Sequence, residues 1–173
     1  DQLFILPRCV GQIQVLVEDP DFLLIDKPTR LLSVPGRHPQ NRDSVISRLE
    51  ADYPGVSIVH RLDFDTSGVM VIPRNKAALS HISKQFQART VSKHYTAVVA
   101  GLMDKNEGVI NLPIASDEGP KYKICAATGK PSITEYKVLA RDEANATTRV
   151  FLRPITGRSH QLRLHLQAIG HPI

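Results

Sequence analysis

Between the apolar runs V-S-I-V and G-V-M-V-I the chain places H-R-L-D-F-D-T-S-G, residues 60–68. Asp63 and Asp65 are candidate nucleophiles or bases, and His60 or Arg61 beside them would favour the ionised carboxylate. A polar loop between two buried strands is a good mount for a reactive side chain, because the scaffold fixes it while the loop exposes it. The same letters also suit a tight turn in which Asp, Thr, Ser and Gly bond the backbone. Composition alone favours the turn.

Two other stretches carry chemistry-bearing types. In K-H-Y-T-A-V, residues 93–98, strand alternation puts Tyr95 and Ala97 on one face behind Lys93, so an aromatic face beside a cation could stack a nucleobase. An ordinary half-buried strand tyrosine is the bland competitor. In R-P-I-T-G-R-S-H-Q-L-R-L-H-L, residues 153–166, Leu162, Leu166 and Ile169 predict a core stripe, with Arg158, His160, Arg163 and His165 on the remaining surface. An arginine near a helix start can hold a phosphate or pair with a carboxylate, or simply be solvated. Lys121, Lys123 and Lys130 add a basic run that could follow an RNA backbone. Metal is not expected: His160 and His165 are five residues apart, off the four-residue spacing of zinc helices, and the other histidines are scattered.

The elements expected to hold these residues are strands at 12–17 and 22–26, a loop at 31–42, and a helix from an Asp43 or Ser44 cap to about residue 53. Strands at 57–59 and 68–72 flank the polar cluster. A helix follows over 76–88, capped by Asn75, with Leu79, Ile82 and Phe86 as its stripe. Strands are then predicted at 93–100, 108–112, 121–126, 132–139 and 147–153, and a helix over 159–169 ended by Gly170 and Pro172. The fold class is α+β, a mixed and mainly antiparallel sheet arrangement with few helices.

At 173 residues the chain fits one domain, 1–173, with neither repeat nor linker. Apolar content of 42% and charged content of 23% argue against disorder. The net charge of +5 is compatible with a polyanionic partner. Cys9 and Cys125 form no C-x-x-C, so the expected setting is reducing and cytoplasmic. No apolar run is long enough to span a bilayer, and L-F-I-L near the start is too short for a signal-peptide core. The start at Asp1 without Met and the stop at His171-Pro172-Ile173 read as a fragment of something longer.

Order and wording then add what single stretches lack. H-R-L-D-F-D-T-S-G resembles the H-R-L-D-x-x-T-S-G signature of the RluA-type pseudouridine synthases. I-D-K-P-T-R-L-L-S-V-P-G-R is similar to their N-K-P-x-G-L-L-S-V-P-G, K-H-Y-T-A-V-V-A-G to their K-x-Y-x-A-x-V-x-G, and G-R-S-H-Q-L-R-L-H to their G-R-x-H-Q-I/L-R-x-H. H-R-L-D also looks like the kinase H-R-D-L-x-x-x-N, but the chain has no G-x-G-x-x-G-x-V loop and no following D-F-G.

The resemblance implies that Asp63 is the catalytic aspartate, as nucleophile or base, and that Tyr95 packs on the target base and helps remove its C5 proton. It implies that Arg163 is the charge partner of the aspartate and that Arg61 helps displace the base from its stack. Asp65 falls on a variable position. His60, Lys93, Arg158, Lys121 and Lys123 are expected RNA contacts. No cofactor or metal is implied, and the partner is ribosomal or transfer RNA, met by a monomer. The family normally continues past G-H-P-I, so this chain is expected to be truncated, and Ile72-Pro73-Arg74 departs from the usual small or apolar residues. The compact subgroup without an S4 domain is the nearest match. Two rivals stand beside an RNA uridine isomerase: a non-catalytic RNA-binding protein or inactive truncated synthase, and, more weakly, an enzyme acting on a free nucleotide. An aspartate facing a polyanion disfavours a pure binder.

Overall fold

The computed structural model describes residues 5–173; Leu3 and Phe4 of the L-F-I-L run lie outside the described residues. The chain divides into two compact units, Asp1–Ala88 and Arg89–Ile173.

Unit one is a three-stranded antiparallel sheet with two helices. Strands β1 (Gln14–Glu18), β2 (Phe22–Lys27) and β3 (Gly68–Pro73) lie in the order β1-β2-β3. Along β2, burial alternates so that Leu23, Ile25 and Lys27 all point inward. Leu23 sits opposite Ile72 and Ile25 opposite Met70, and all four are fully buried. The helix α1 (Val45–Leu49) begins at Ser44, whose hydroxyl accepts from the Ser47 N–H while the Ser47 hydroxyl accepts from the Ser44 N–H. Its five residues are fewer than the sequence predicts: after Leu49 the backbone turns, and Pro54 with Gly55 at φ +90° cannot continue a helix. Residues 57–59 are likewise not a strand; Ser57 donates to the Pro73 carbonyl at 3.1 Å before the chain leaves the sheet for the polar loop. Helix α2 (Lys76–Gln87) is capped by Asn75, whose side chain accepts from the Ala78 N–H at 2.8 Å.

Unit two is built on a four-stranded antiparallel sheet in the order β4-β9-β8-β5, from β4 (Tyr95–Ala100), β5 (Glu107–Asn111), β8 (Ile133–Asp142) and β9 (Thr147–Pro154). A small antiparallel pair, β6 (Ile114–Ser116) with β7 (Tyr122–Ile124), forms a separate sheet; β6, only three residues long, is not among the strands the sequence pattern predicts. Helix α3 (Gln161–Ala168) closes the unit, and its Leu166 joins Val99, Met103, Ile110, Val150 and Leu152 in one apolar core. The architecture is α+β and mostly antiparallel, as the element pattern implies. Among the described residues no helix is long and apolar enough to cross a membrane.

Leu152 is completely buried at the centre of the second core, with Tyr95 opposite it on β4 and Tyr136 opposite it on β8. Truncation to alanine leaves a cavity that these strands cannot close. Leu152→Ala is expected to lower unfolding stability by about 2–5 kcal/mol, read as a shift in urea midpoint.

Candidate active site

In unit one, Asp63 sits half-buried at the start of a turn closed by the Thr66 N–H donating to the Asp63 carbonyl at 3.0 Å. Five hydrogen bonds pin the backbone on either side. Before it, the buried Ser33 hydroxyl accepts from the Leu62 N–H at 3.1 Å and donates to the Leu62 carbonyl at 2.8 Å. After it, the Phe64 carbonyl accepts from the Arg30 N–H at 2.7 Å and from the Lys27 ammonium at 3.2 Å. Then Thr29 donates its hydroxyl to the Asp65 carbonyl at 2.7 Å. The segment from Lys27 to Ser33 is thus a template on which the Asp63 loop is laid.

Lys27 is fully buried, and its three N–H bonds meet three carbonyls: Leu31 at 2.6 Å, Pro28 at 2.9 Å and Phe64 at 3.2 Å. Burial lowers its pKa, while Cys9, Asp65 and Asp63 oppose that shift. Neither Lys27 nor Ser33 was among the expected site residues. The signal for Lys27 was present: it continues the Leu23-Ile25 inward phase of β2, where a lysine must find polar partners.

Arg61 is exposed at the mouth of the same loop. His60 is bound into the scaffold: its Nε2 accepts from the Val71 N–H of β3 at 3.0 Å and its ring stacks on Phe86 of α2 at 4.8 Å. The structure therefore uses His60 to join the loop to β3 and α2.

In unit two, Tyr95 opens β4, half-buried against the apolar core. Lys93 lies so close to Gly157 that a β-carbon there would stand 3.0 Å from its Nζ, and burial, then the charge of Arg89, lowers its pKa. Arg158 spends two of its N–H groups on the Pro131 carbonyl, at 3.2 and 3.1 Å. Arg163 stands on the exposed side of α3. Lys121 is exposed in the turn before β7, and Lys123 pairs with Asp117 at 3.7 Å, an exposed contact of small energetic weight. The lysines of the hairpin and the arginines of the α3 region belong to the same unit, whereas His60, Arg61 and Asp63 belong to the other.

A buried polar chain sets the start of α3. The Leu112 carbonyl can only accept, so His165 carries its proton on Nε2, 2.8 Å away, and Nδ1 accepts from the Thr134 hydroxyl at 2.8 Å. Thr134 in turn accepts from the Gln161 amide at 2.9 Å, which also donates to the Ile133 carbonyl. The Gln161 oxygen accepts from the Thr156 hydroxyl at 2.7 Å and from the Arg158 N–H at 3.0 Å. Burial lowers the His165 pKa, the Leu112 bond opposing it, which favours the neutral ring this chain requires. Among the described residues no group of three or more His, Cys, Asp or Glu could hold a metal ion, and both cysteines are free thiols.

A family model described as RNA pseudouridylate synthase matches residues 21–168, from the start of β2 to the end of α3, and the chain belongs to that family. Among relatives, the dual-specificity RNA pseudouridine synthase RluA of Yersinia pestis is 50% identical over 161 residues, covering 92% of this chain and 78% of that protein. Its counterpart in Escherichia coli K12 is 48% identical, covering 92% of this chain and 73% of that protein. Of solved structures, human RNA pseudouridylate synthase domain containing 1 superposes with a TM-score of 0.80 at 30% identity, covering 96% of this chain and 69% of that one. The relatives are named as RNA pseudouridine synthases, which are isomerases.

Two measurements follow from the scaffolds. Ser33→Ala leaves both backbone groups of Leu62 unpaired in a buried place and should cost about 1–3 kcal/mol by urea titration. His165, with its pKa below that of the unfolded chain, contributes stability that is complete above about pH 6.5 and lost as pH falls toward the folded value. The urea midpoint should therefore fall below pH 6.5, and His165→Gln should flatten that dependence.

Proposed function

We propose that this chain isomerises specific uridines to pseudouridine in structured RNA, in hairpin loops of large-subunit ribosomal RNA and transfer RNA. The observation that carries the reading is the family match, which runs unbroken through the Asp63 loop, β4 and α3. The dual-specificity relatives, at about half-identity over most of the chain, support two RNA substrates rather than one. Because the match crosses from one compact unit to the other, both are assigned to one catalytic domain.

In the reaction the bond from uracil N1 to ribose C1′ breaks, a new bond forms from C5 to C1′, and the C5 proton is given up while N1 gains one. Nothing is oxidised or reduced. Asp63 is assigned the role of nucleophile or base at the sugar, Tyr95 the packing of the base and help in removing the C5 proton, and Arg163 the charge that favours an ionised carboxylate. The reacting uridine must leave its stack, which costs a few kcal/mol and least in a loop; Arg61, exposed two residues before Asp63, is assigned to that step. Lys93, Arg158, Lys121 and Lys123 are assigned to the RNA backbone, and His60 to a contact with the RNA beside Arg61. The protein is read as a monomer acting in the cytoplasm, where its substrates are found.

Tritium release from RNA carrying 5-tritiated uridine tests the reading. The parent chain should release tritium, and Asp63→Asn should lower the rate by about a thousandfold or more while still binding the RNA. Undiminished release by Asp63→Asn would remove Asp63 from the mechanism. RNA binding without release by the parent would favour the pure binder.

A further inference from the structure

Arg30 holds a backbone conformation that arginine has no reason to choose. Its φ is +63°, in the left-handed region where glycine is at ease and a β-carbon is strained. The fold needs that conformation: it aims the Arg30 N–H at the Phe64 carbonyl, 2.7 Å away, next to Asp63. The fold does not need the side chain. Arg30 is exposed, and its guanidinium makes no hydrogen bond or ion pair among the described residues. Glycine would deliver the same N–H with no strain.

A second cation stands on the other flank. Arg61 precedes Asp63 by two residues, is exposed, and also lacks a partner among the described residues. Arg30 is fastened to the residue that follows Asp63, so two unengaged guanidinium groups bracket a turn carrying the carboxylates Asp63 and Asp65. A polyanion approaching that turn meets two negative side chains, and the lysine beside them is buried with all three donors committed. Exposed arginines are the groups left to offset the repulsion, and a planar guanidinium suits a phosphodiester.

We propose that Arg30 is an RNA-contacting residue, which holds a backbone phosphate of the substrate hairpin beside the Asp63 turn. This rests on the isomerase reading above and adds to it a cation outside the residues expected to touch RNA.

The test uses the full chain and an RNA hairpin with 5-tritiated uridine in its loop, with binding measured between 50 and 200 mM salt, chosen because phosphate contacts are read in that range. Arg30→Gly should bind several-fold more weakly and reduce the slope of log affinity against log salt by about 0.7–0.9. Its Tm should be unchanged or raised, because the left-handed strain is relieved. Arg30→Lys should keep the parent's slope. An unchanged slope in Arg30→Gly, with tritium release by the parent intact, overturns the contact and leaves the isomerase reading standing. An Arg30→Lys slope as low as that of Arg30→Gly also overturns it, since charge would not be what matters. A parent that binds RNA but releases no tritium defeats the isomerase reading instead, and the proposal with it.

Discussion

A lysine ammonium shut away from water is the constraint around which the first unit is arranged. Taking such a charge out of solvent costs several kcal/mol unless the interior answers every donor. Lys27 obtains that answer from three backbone carbonyls, two on the turn that follows β2 and one beside Asp63. The geometry of that turn and of the Asp63 loop are therefore not independent. Moving either one strands an N–H of a buried cation, and the cost of doing so holds both in place. Ser33 extends the arrangement to the residue preceding Asp63. The left-handed Arg30 is one cost of bringing so many donors onto one carbonyl.

The second unit reaches the same end by different means. Its site segments are held by a neutral chain of side chains rather than by a charge. Helix α3 starts where it does because Gln161, on the buried side of its first turn, ties Arg158, Thr156 and Thr134 together, and His165 one turn later anchors to the strand-end carbonyl of Leu112. No buried side-chain nitrogen or oxygen among the described residues lacks a partner, so this polar cluster adds order without an uncompensated desolvation cost.

Much of this was legible in the letters. The inward alternation of β2, the Asn75 cap and stripe of α2, and the strands about Tyr95 and Val150 all appear where periodicity puts them. Family strings supplied roles that composition could not, because a charged turn and a reactive loop are written with the same residue types. What escaped were partners that depend on distant backbone. Nothing near Lys27 in sequence foretells that the carbonyl of Phe64 will be its third acceptor. Gln161 and His165 are spaced four apart and so share a helix face, whereas His160 and His165, the histidine pair that suggests a metal helix, are five apart and do not. Short elements failed for another reason. Residues 50–53 continue a helical pattern by type, yet the backbone turns after Leu49, ahead of Pro54 and Gly55.

The chain through Gln161 has a direction. Because the Leu112 carbonyl dictates which nitrogen of His165 holds the hydrogen, it also dictates, two bonds away, which end of the Gln161 amide faces Thr134. The amide is not free to turn over, and a glutamate of the same length cannot replace it. Loss of the amide nitrogen by deamidation would leave Thr134 and the Ile133 carbonyl facing a buried negative charge where a donor had been. The position of α3 is in this sense sensitive to a chemical change of a single group, one that alters neither the size of the side chain nor its reach.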